Sequence, residues 1–551
     1  MYSISQLVAL GVSVTICATA VLYVDYFTTF FPTREAFLSV AEQHQMLASL
    51  LFHASKNGDA AATFANQNDA RDPPRLAFCC SADLDVAVSA VALMKRVQEV
   101  EREKMEKKDF NDLKKRHHER ISSFQELQES FAYYFASGAA AEQSMLSSEQ
   151  FREVVSLADG LLGVERKVGG NAATMAERAS AEGCVVLLGA AIGKEMKPHF
   201  RDARIQLVGK LEEEQHEDVH LVLEYSSGDE FRGHMSPRAN RYYLNHDVHN
   251  ARLSVLEEFE QSLDAFKPDL VVFGGLQLME VEMDEKARLV RLKALSDVLQ
   301  NLFLAQTPTH YEFAAVSDFS LFDDTVRLVL PWVESIGLNE QELFILHHYL
   351  VTGEEGTATT SRPTVAEISA QLHDVIQFAS KAKENFRTGS QNKNTKEDKQ
   401  GTLALAQLSR IHFHTLQFHI VCQKKGSTWE DPTTALVQSA LMSSKVACGK
   451  PAPASDGDEP QLMRTSAEME VDPERIEILL ARQQLLSKRQ GLKVDLDPFS
   501  PVVTWQEADF QCHLVPMLAC KKPDHTAGLG DNISGTGVSY HRIQKKSKLA
   551  Y

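Results

Sequence analysis

The sequence predicts an α/β fold in which a central, mostly parallel sheet is flanked by helices. Three observations lead there. Apolar runs of strand length alternate with longer stretches of helical composition along most of the chain. Of 551 residues, 44% are hydrophobic and 24% charged, which is ordinary for a protein that buries a large core. No internal repeat is visible, and 28 Gly with 18 Pro is too few for a collagen-like chain.

The elements follow in chain order. Residues 7–24 are uncharged and mostly apolar, and Asp25 is the first charged side chain. Such a run reads as a signal peptide or N-terminal membrane anchor within residues 1–24, with a buried core helix as the alternative. Ala18-Thr19-Ala20 has the small-x-small form that signal peptidase cleaves, whereas no Lys or Arg precedes it. Either outcome points to the secretory pathway: the endoplasmic reticulum, lumenal or anchored, or secretion. The terminal Lys548-Leu549-Ala550-Tyr551 matches no retrieval signal.

Residues 86–135 lack Pro and Gly and read as long helices, with 102–120 a solvated charged face. Strands are expected at 184–189, 220–225, 269–273, 311–316, 411–422 and 513–520. Residues 388–400 are polar, and 450–473 are rich in Pro, Asp, Glu and Ser, so both read as surface insertions. The eight cysteines include no CxxC pair, which argues against a zinc ribbon or a thioredoxin-like site. One or two disulfides fit an oxidising lumen, and their connectivity is open.

The formal net charge of −18, without a long Lys/Arg block, excludes a nucleic-acid binder. An anionic substrate would need a locally positive pocket.

Ligands of parallel sheets bind at the carboxyl ends of the strands, so motifs just after strands carry most weight. Gly528 and Gly530 precede Asp531 after the strand-like run near 514–520 and open a predicted helix. Amides at such a helix start stabilise developing negative charge, and Asp531 could take a proton from an attacking hydroxyl. The same residues also read as a Gly-rich turn capped by Asp. Glu312 lies at a predicted strand, and Glu342 follows another. Carboxylates at strand ends can hold Mg²⁺, directly or through water, and each also reads as an ion-pair or cap residue. Gly169-Gly170-Asn171 permits close backbone approach and offers an amide to a sugar hydroxyl, or simply forms a turn.

Taken together, these segments resemble the ADP-dependent glucokinases of the ribokinase-like superfamily, in particular their eukaryotic branch. The similar stretches are GGNAATMAERASAEGC (169–184), HLVLEY (220–225), SPRANRY (236–242), DLVVFGG (269–275), HYEFAA (310–315), SIGLNEQEL (335–343), RIHFHTL (410–416) and AGLGDNIS (527–534), in the family's order. The resemblance implies a kinase region over 70–551, a large α/β domain with lid segments within about 85–260. It implies phosphoryl transfer from ADP to the 6-hydroxyl of D-glucose, giving AMP, with Mg²⁺ as cofactor. By position, Asp531 is similar to the family's catalytic base and Arg241 to its phosphate-clamping arginine. Gly528 and Gly530 match its anion hole, and Glu312, Glu342 and Asp531 its metal-site acids. Asp85, Glu142, Gly170, Asn171 and His220 match glucose contacts. An acid at Glu142 favours glucose over an already phosphorylated sugar. Apart from ADP, D-glucose and an N-terminal anchor's membrane, no partner is expected, and the chain is expected to be a monomer.

The chain departs from the family pattern in three places. His525 stands where an Arg is usual. Asn532-Ile533-Ser534 replaces the usual Ala and creates an N-x-S sequon beside the base. Ser81 and Asp83 accompany the loose Asp85 match. A ribokinase-like kinase using ATP or fructose 6-phosphate, or a catalytically weak lumenal nucleotide-binding protein, are the alternatives.

Overall fold

A computed structural model describes residues 38–56, 72–104, 114–118, 120–139, 141–212, 216–237, 239–282, 284–356, 363–388, 403–448, 473–480, 497–521 and 528–543. The N-terminal segment 1–24, nearly all of both insertions, and His525 lie outside the described residues.

Ten strands form the large sheet, in the order Val503–Glu507, Phe510–Pro516, Phe418–Lys424, Arg410–His414, Ser335–Leu338, Thr309–Glu312, Leu270–Phe273, Arg75–Cys79, Val185–Ile192, Ile205–Lys210. The strands from Arg410–His414 to Ile205–Lys210 run parallel, and the other three pair antiparallel at one edge. The fold is thus the α/β class with a mostly parallel sheet that the sequence predicts. Apart from Arg75 at the start of its strand, the central strands are buried along their length because helices cover both faces. Side-chain alternation divides the apolar residues between those faces. Leu76, Phe78, Leu270 and Val272 pack under the helix Asn171–Ala181, while Ala77, Cys79, Val271 and Phe273 face the core shared with Leu256–Phe266 and Glu285–Leu304.

Residues 411–422 are not one strand. Thr415 accepts hydrogen bonds from the Gln417 and Phe418 amides, and the chain reverses into a hairpin. Residues 513–520 also divide, and Leu518–Cys520 pairs with Ile476–Ile478.

The run 220–225 belongs to a second sheet, in the order Ala141–Ser144, Asn240–Asn245, Val219–Tyr225, Asp83–Ser89, Glu165–Gly169. Three helices, Ala90–Lys104, Phe124–Ser137 and Ser148–Asp159, back one face of it. Leu84, Val86, Val88, Leu221, Leu223, Tyr242 and Leu244 point into that apolar layer. With a period of two, Asp83, Asp85, His220, Arg241 and Tyr243 must point the other way. A polar sheet face follows directly from the alternation.

Three disulfides join Cys79 to Cys80, Cys422 to Cys512 and Cys448 to Cys520. Cys184 is the free, buried cysteine among the described residues. No helix of the described residues is long and apolar enough to cross a membrane.

Candidate active site

Gly528 caps the helix Leu529–Tyr540 in the left-handed region (φ 64°), and no side chain caps the helix start. The amides of Leu529, Gly530 and Asp531 therefore lack partners within the helix and carry its positive dipole end. Asp531 sits half-buried in this first turn. Its Oδ1 accepts a hydrogen bond from Asn171 Nδ2 at 2.7 Å, and Asn171 Oδ1 accepts one from Gln277 Nε2 at 3.0 Å. The Asn171 amide is thereby fixed in one orientation. Burial pushes the Asp531 pKa up to about 7; the Asn171 hydrogen bond and His414 oppose this and the Glu312 charge adds to it.

Glu312 ends its strand buried beside this helix. Burial would raise its pKa, but hydrogen bonds and charge from His310 and His414 hold it near 2. His310 Nε2 lies 3.0 Å from Glu312 Oε2, His414 Nε2 lies 3.5 Å from Oε1, and Ser534 Oγ donates to Oε1 at 2.7 Å. Gly337 makes room for this carboxylate, since a Cβ there would lie 1.9 Å from Glu312 Oε2.

Glu342 closes a capping box: Asn339 accepts from the Glu342 amide, and the Asn339 backbone and side chain donate to Glu342 at 2.8 and 2.9 Å. Its cap role, one of the two sequence readings, is therefore realised, and burial raises its pKa to about 7. Glu312 and His414 act electrostatically on Glu342 as well as on Asp531, so the three acids converge on one region.

The predicted sugar residues line the polar face of the second sheet. Asp85 lies opposite Lys167 on one neighbouring strand and His220 on the other. Burial raises the Asp85 pKa, while His220, Lys167 and Arg241 pull it down. The Arg241 guanidinium lies 5.6 Å from the centroid of the Tyr243 ring. Glu142 is exposed and accepts from Asn245 Nδ2 at 3.1 Å.

His220 is not free to bind a sugar as a simple donor. Its Nε2 lies 2.9 Å from Asp247 Oδ1 and its Nδ1 3.5 Å from Asp83 Oδ1. Burial would lower its pKa, but Asp247, Asp83 and Glu142 raise it well above the ordinary histidine value. His220 thus lies between two buried acids, and burial raises the pKa of one of them, Asp83, against the opposing charge of His220.

The segment 169–171 joins the two clusters. A Cβ on Gly169 would lie 2.3 Å from Asp83 Oδ1, and one on Gly170 (φ 86°) 2.8 Å from Ala82 Cα. One residue on, Asn171 holds Asp531. Asp83, Asp247, Gln277, His414 and Ser534 were not predicted as site residues. Asp83 was findable, because it precedes Asp85 by two and so shares its sheet face. The ligand-forming atoms of Asp83, Asp85 and His220 lie within 4.8 Å of one another. A cation would fit that spacing, but both His220 nitrogens already face Asp83 and Asp247. The sequon residue Asn532 is buried, donating to Gly528 O and accepting from Arg178 Nε.

Residues 74–540 match the ADP-specific phosphofructokinase/glucokinase conserved region. The chain is 30% identical over 476 residues to a bovine ADP-dependent glucokinase, covering 85% of this chain and 84% of that protein. It is 27% identical to a probable ADP-dependent glucokinase of Caenorhabditis elegans over 78% of this chain and 80% of the other. Among solved structures, an ADP-dependent kinase in complex with fructose 6-phosphate and ADPβS aligns over 90% of this chain and 97% of its own, with a TM-score of 0.58 at 15% identity. A Pyrococcus horikoshii phosphofructokinase with AMP gives 0.53 at 15% identity, over 85% and 98%. The chain belongs to the ADP-specific phosphofructokinase/glucokinase family.

Proposed function

We propose that this ADP-specific sugar kinase phosphorylates the 6-hydroxyl of D-glucose, releasing AMP and glucose 6-phosphate. The observation that carries the reading is the bridge from Gly169 to Asn171, which packs an acid-rich sheet face at one end and orients Asp531 at the other. In the proposed reaction Asp531 accepts the proton of the attacking hydroxyl, which its raised pKa suits. The free amides following Gly528 stabilise the charge of the transferred phosphoryl group. Arg241 supplies a cation on the sugar side, where Asp85, Glu142, Asp83 and Asp247 favour hydroxyl donors and disfavour a phosphorylated sugar.

Mg²⁺ carried with ADP would be held by Asp531, Glu312 and Glu342 and would neutralise phosphate charge. An all-oxygen donor set fits this hard ion, and the hydrogen bonds already accepted by Glu312 and Glu342 fit contacts made through water. The five-stranded sheet with its helices would act as the lid that excludes water. The disulfides Cys422–Cys512 and Cys448–Cys520 support a secretory-pathway location.

The test mixes purified chain, glucose and Mg²⁺ with ADP or ATP and detects AMP. AMP formation with ADP and glucose is expected. Turnover with ATP alone refutes the donor, and turnover with fructose 6-phosphate in place of glucose refutes the acceptor.

A further inference from the structure

The start of the helix Leu529–Tyr540 is held by a side chain that the proposed reaction does not use. Gly528 O accepts two hydrogen bonds from one residue: the Asn532 amide at 3.0 Å, the ordinary first bond of the helix, and Asn532 Nδ2 at 2.9 Å. The other end of that side chain, Asn532 Oδ1, accepts from Arg178 Nε at 2.9 Å. A carbonyl can only accept and a guanidinium can only donate, so the Asn532 amide has one orientation in which both bonds form. Asn532 and Arg178 are both buried.

Arg178 is fixed in turn. Its Nη1 lies 3.3 Å from Glu182 Oε1, and the Tyr540 hydroxyl donates to Glu182 Oε2 at 2.9 Å. Tyr540 is the last residue of the helix that Asn532 opens, so Arg178 and Glu182 between them hold both of its ends. Midway, Gly535 lies close against the helix Asn171–Ala181: a Cβ there would sit 3.1 Å from Met175 Cα and 3.2 Å from Arg178 Cβ. The two helices are thereby tied along their contact. Arg178 belongs to the helix whose first residue, Asn171, holds Asp531.

The consequence falls on Leu529. The Gly528 carbonyl and the Leu529 N–H belong to one planar trans peptide, and they point in opposite directions. Gly528 has no Cβ to restrain this peptide. Pinning the oxygen toward Asn532 therefore aims the Leu529 N–H out of the helix start, where the amides lack partners within the helix. A second donor, itself anchored on a buried guanidinium, narrows the range over which the peptide can tilt.

We propose that Asn532, held by Arg178, is a positioning residue that fixes the Leu529 amide for the phosphoryl group in transfer. Both side chains lie behind the helix start and act through the Gly528–Leu529 peptide. The inference rests on the proposed role of the amides after Gly528. A donor oriented beforehand costs no reorganisation as charge develops, so loosening it weakens the transition state more than the bound product.

The probe is aluminium fluoride with AMP, glucose and Mg²⁺, which mimics a phosphoryl group between donor and acceptor. Inhibition by AMP alone is compared with inhibition by AMP plus aluminium fluoride, and the ratio of the two constants does not depend on how much enzyme is folded. In Asn532→Ala the ratio should fall about tenfold, part of the loss seen when such a donor is removed outright, with kcat falling alike and inhibition by AMP alone changing less than about twofold. Arg178→Met should lower the ratio in the wild-type background and no further in the Asn532→Ala background, because both act at one peptide. An unchanged ratio in Asn532→Ala overturns the positioning, whether or not Arg178→Met folds. Equal losses from Arg178→Met in both backgrounds, or none in either, overturn the route through Asn532. A wild type in which aluminium fluoride adds nothing to AMP overturns the anion hole itself, and the positioning with it. If fructose 6-phosphate rather than glucose supports turnover, the sugar reading fails, and the same ratio measured with that sugar decides the positioning.

Discussion

Replacing Asp247 by Asn isolates the charge that holds His220. The perturbation is nearly isosteric and keeps a hydrogen-bond acceptor 2.9 Å from Nε2, while giving up the 3.3 Å hydrogen bond that Asp247 Oδ2 accepts from Asn250 Nδ2. At that distance two unit charges interact by about 6 kcal/mol with an effective dielectric constant of ~20. Asp83 remains at 3.5 Å and Glu142 lies near, so the His220 pKa should fall while keeping part of its electrostatic support. Burial then works unopposed by Asp247, and His220 should lose its proton more readily than in the wild type.

The sign follows from linkage. A histidine whose folded pKa is raised contributes stability that is fully present below its unfolded value, ~6.5, and is lost as pH rises through the folded value. The stability gap between wild type and Asp247→Asn should therefore be widest below about pH 6.5 and narrow as the pH climbs. Two assays check this: denaturant unfolding from pH 5.5 to 9, and equilibrium glucose binding over the same range. Wild-type glucose affinity should be nearly flat across neutrality, and the variant's should vary with pH. A stability gap that widens with pH, or identical glucose profiles for both proteins, would refute a His220 proton held by Asp247.

Asp531→Asn should cut turnover by ~10²–10⁴ while ADP still binds, measured by AMP release and by calorimetry; near-normal turnover removes Asp531 as the base. Gly337→Ala places a Cβ 1.9 Å from Glu312 Oε2 and must displace a carboxylate held by His310 and Ser534. The expected cost is ~1–3 kcal/mol in denaturant unfolding together with a loss of turnover, and unchanged unfolding would count against that packing. Glu142→Ala should raise the KM for glucose about tenfold or more without altering Mg–ADP binding; unchanged glucose kinetics would take Glu142 out of the pocket.

Much of the fold was legible because its code is local. Buried parallel strands are unbroken apolar runs, and 184–189 and 269–273 fall within or on strands of the large sheet. What failed was punctuation. The hairpin at 415–417 is made by a threonine side chain accepting two amides, with no Gly or Pro to announce it. The run 220–225 was read as a strand, but its alternation could not say which sheet it joins. In the site, residues inside distinctive motifs could be named, whereas their partners could not. Gln277 fixes Asn171 from 106 positions away, and Ser534 reaches Glu312 from 222. Only the fold creates such pairs.

The opening charge of −18 acquires a structure from these pairs, because the acids of the site are kept different by their surroundings. Glu312, ringed by His310, His414 and Ser534, stays ionised down to about pH 2, so it is a fixed negative charge at neutral pH. Asp531 has one hydrogen-bond donor from Asn171 and feels the Glu312 charge, and its pKa lies near 7. A base needs that second environment, able both to take and to release a proton at neutral pH, and a permanent charge needs the first. The histidines around Glu312 therefore matter to the proposed base without touching it. His414, raised by Glu312 and Glu342, lends positive charge that opposes the rise at Asp531. In the proposed reaction the bare helix start serves the phosphoryl group, and the sugar lies toward Asp85, Arg241 and His220.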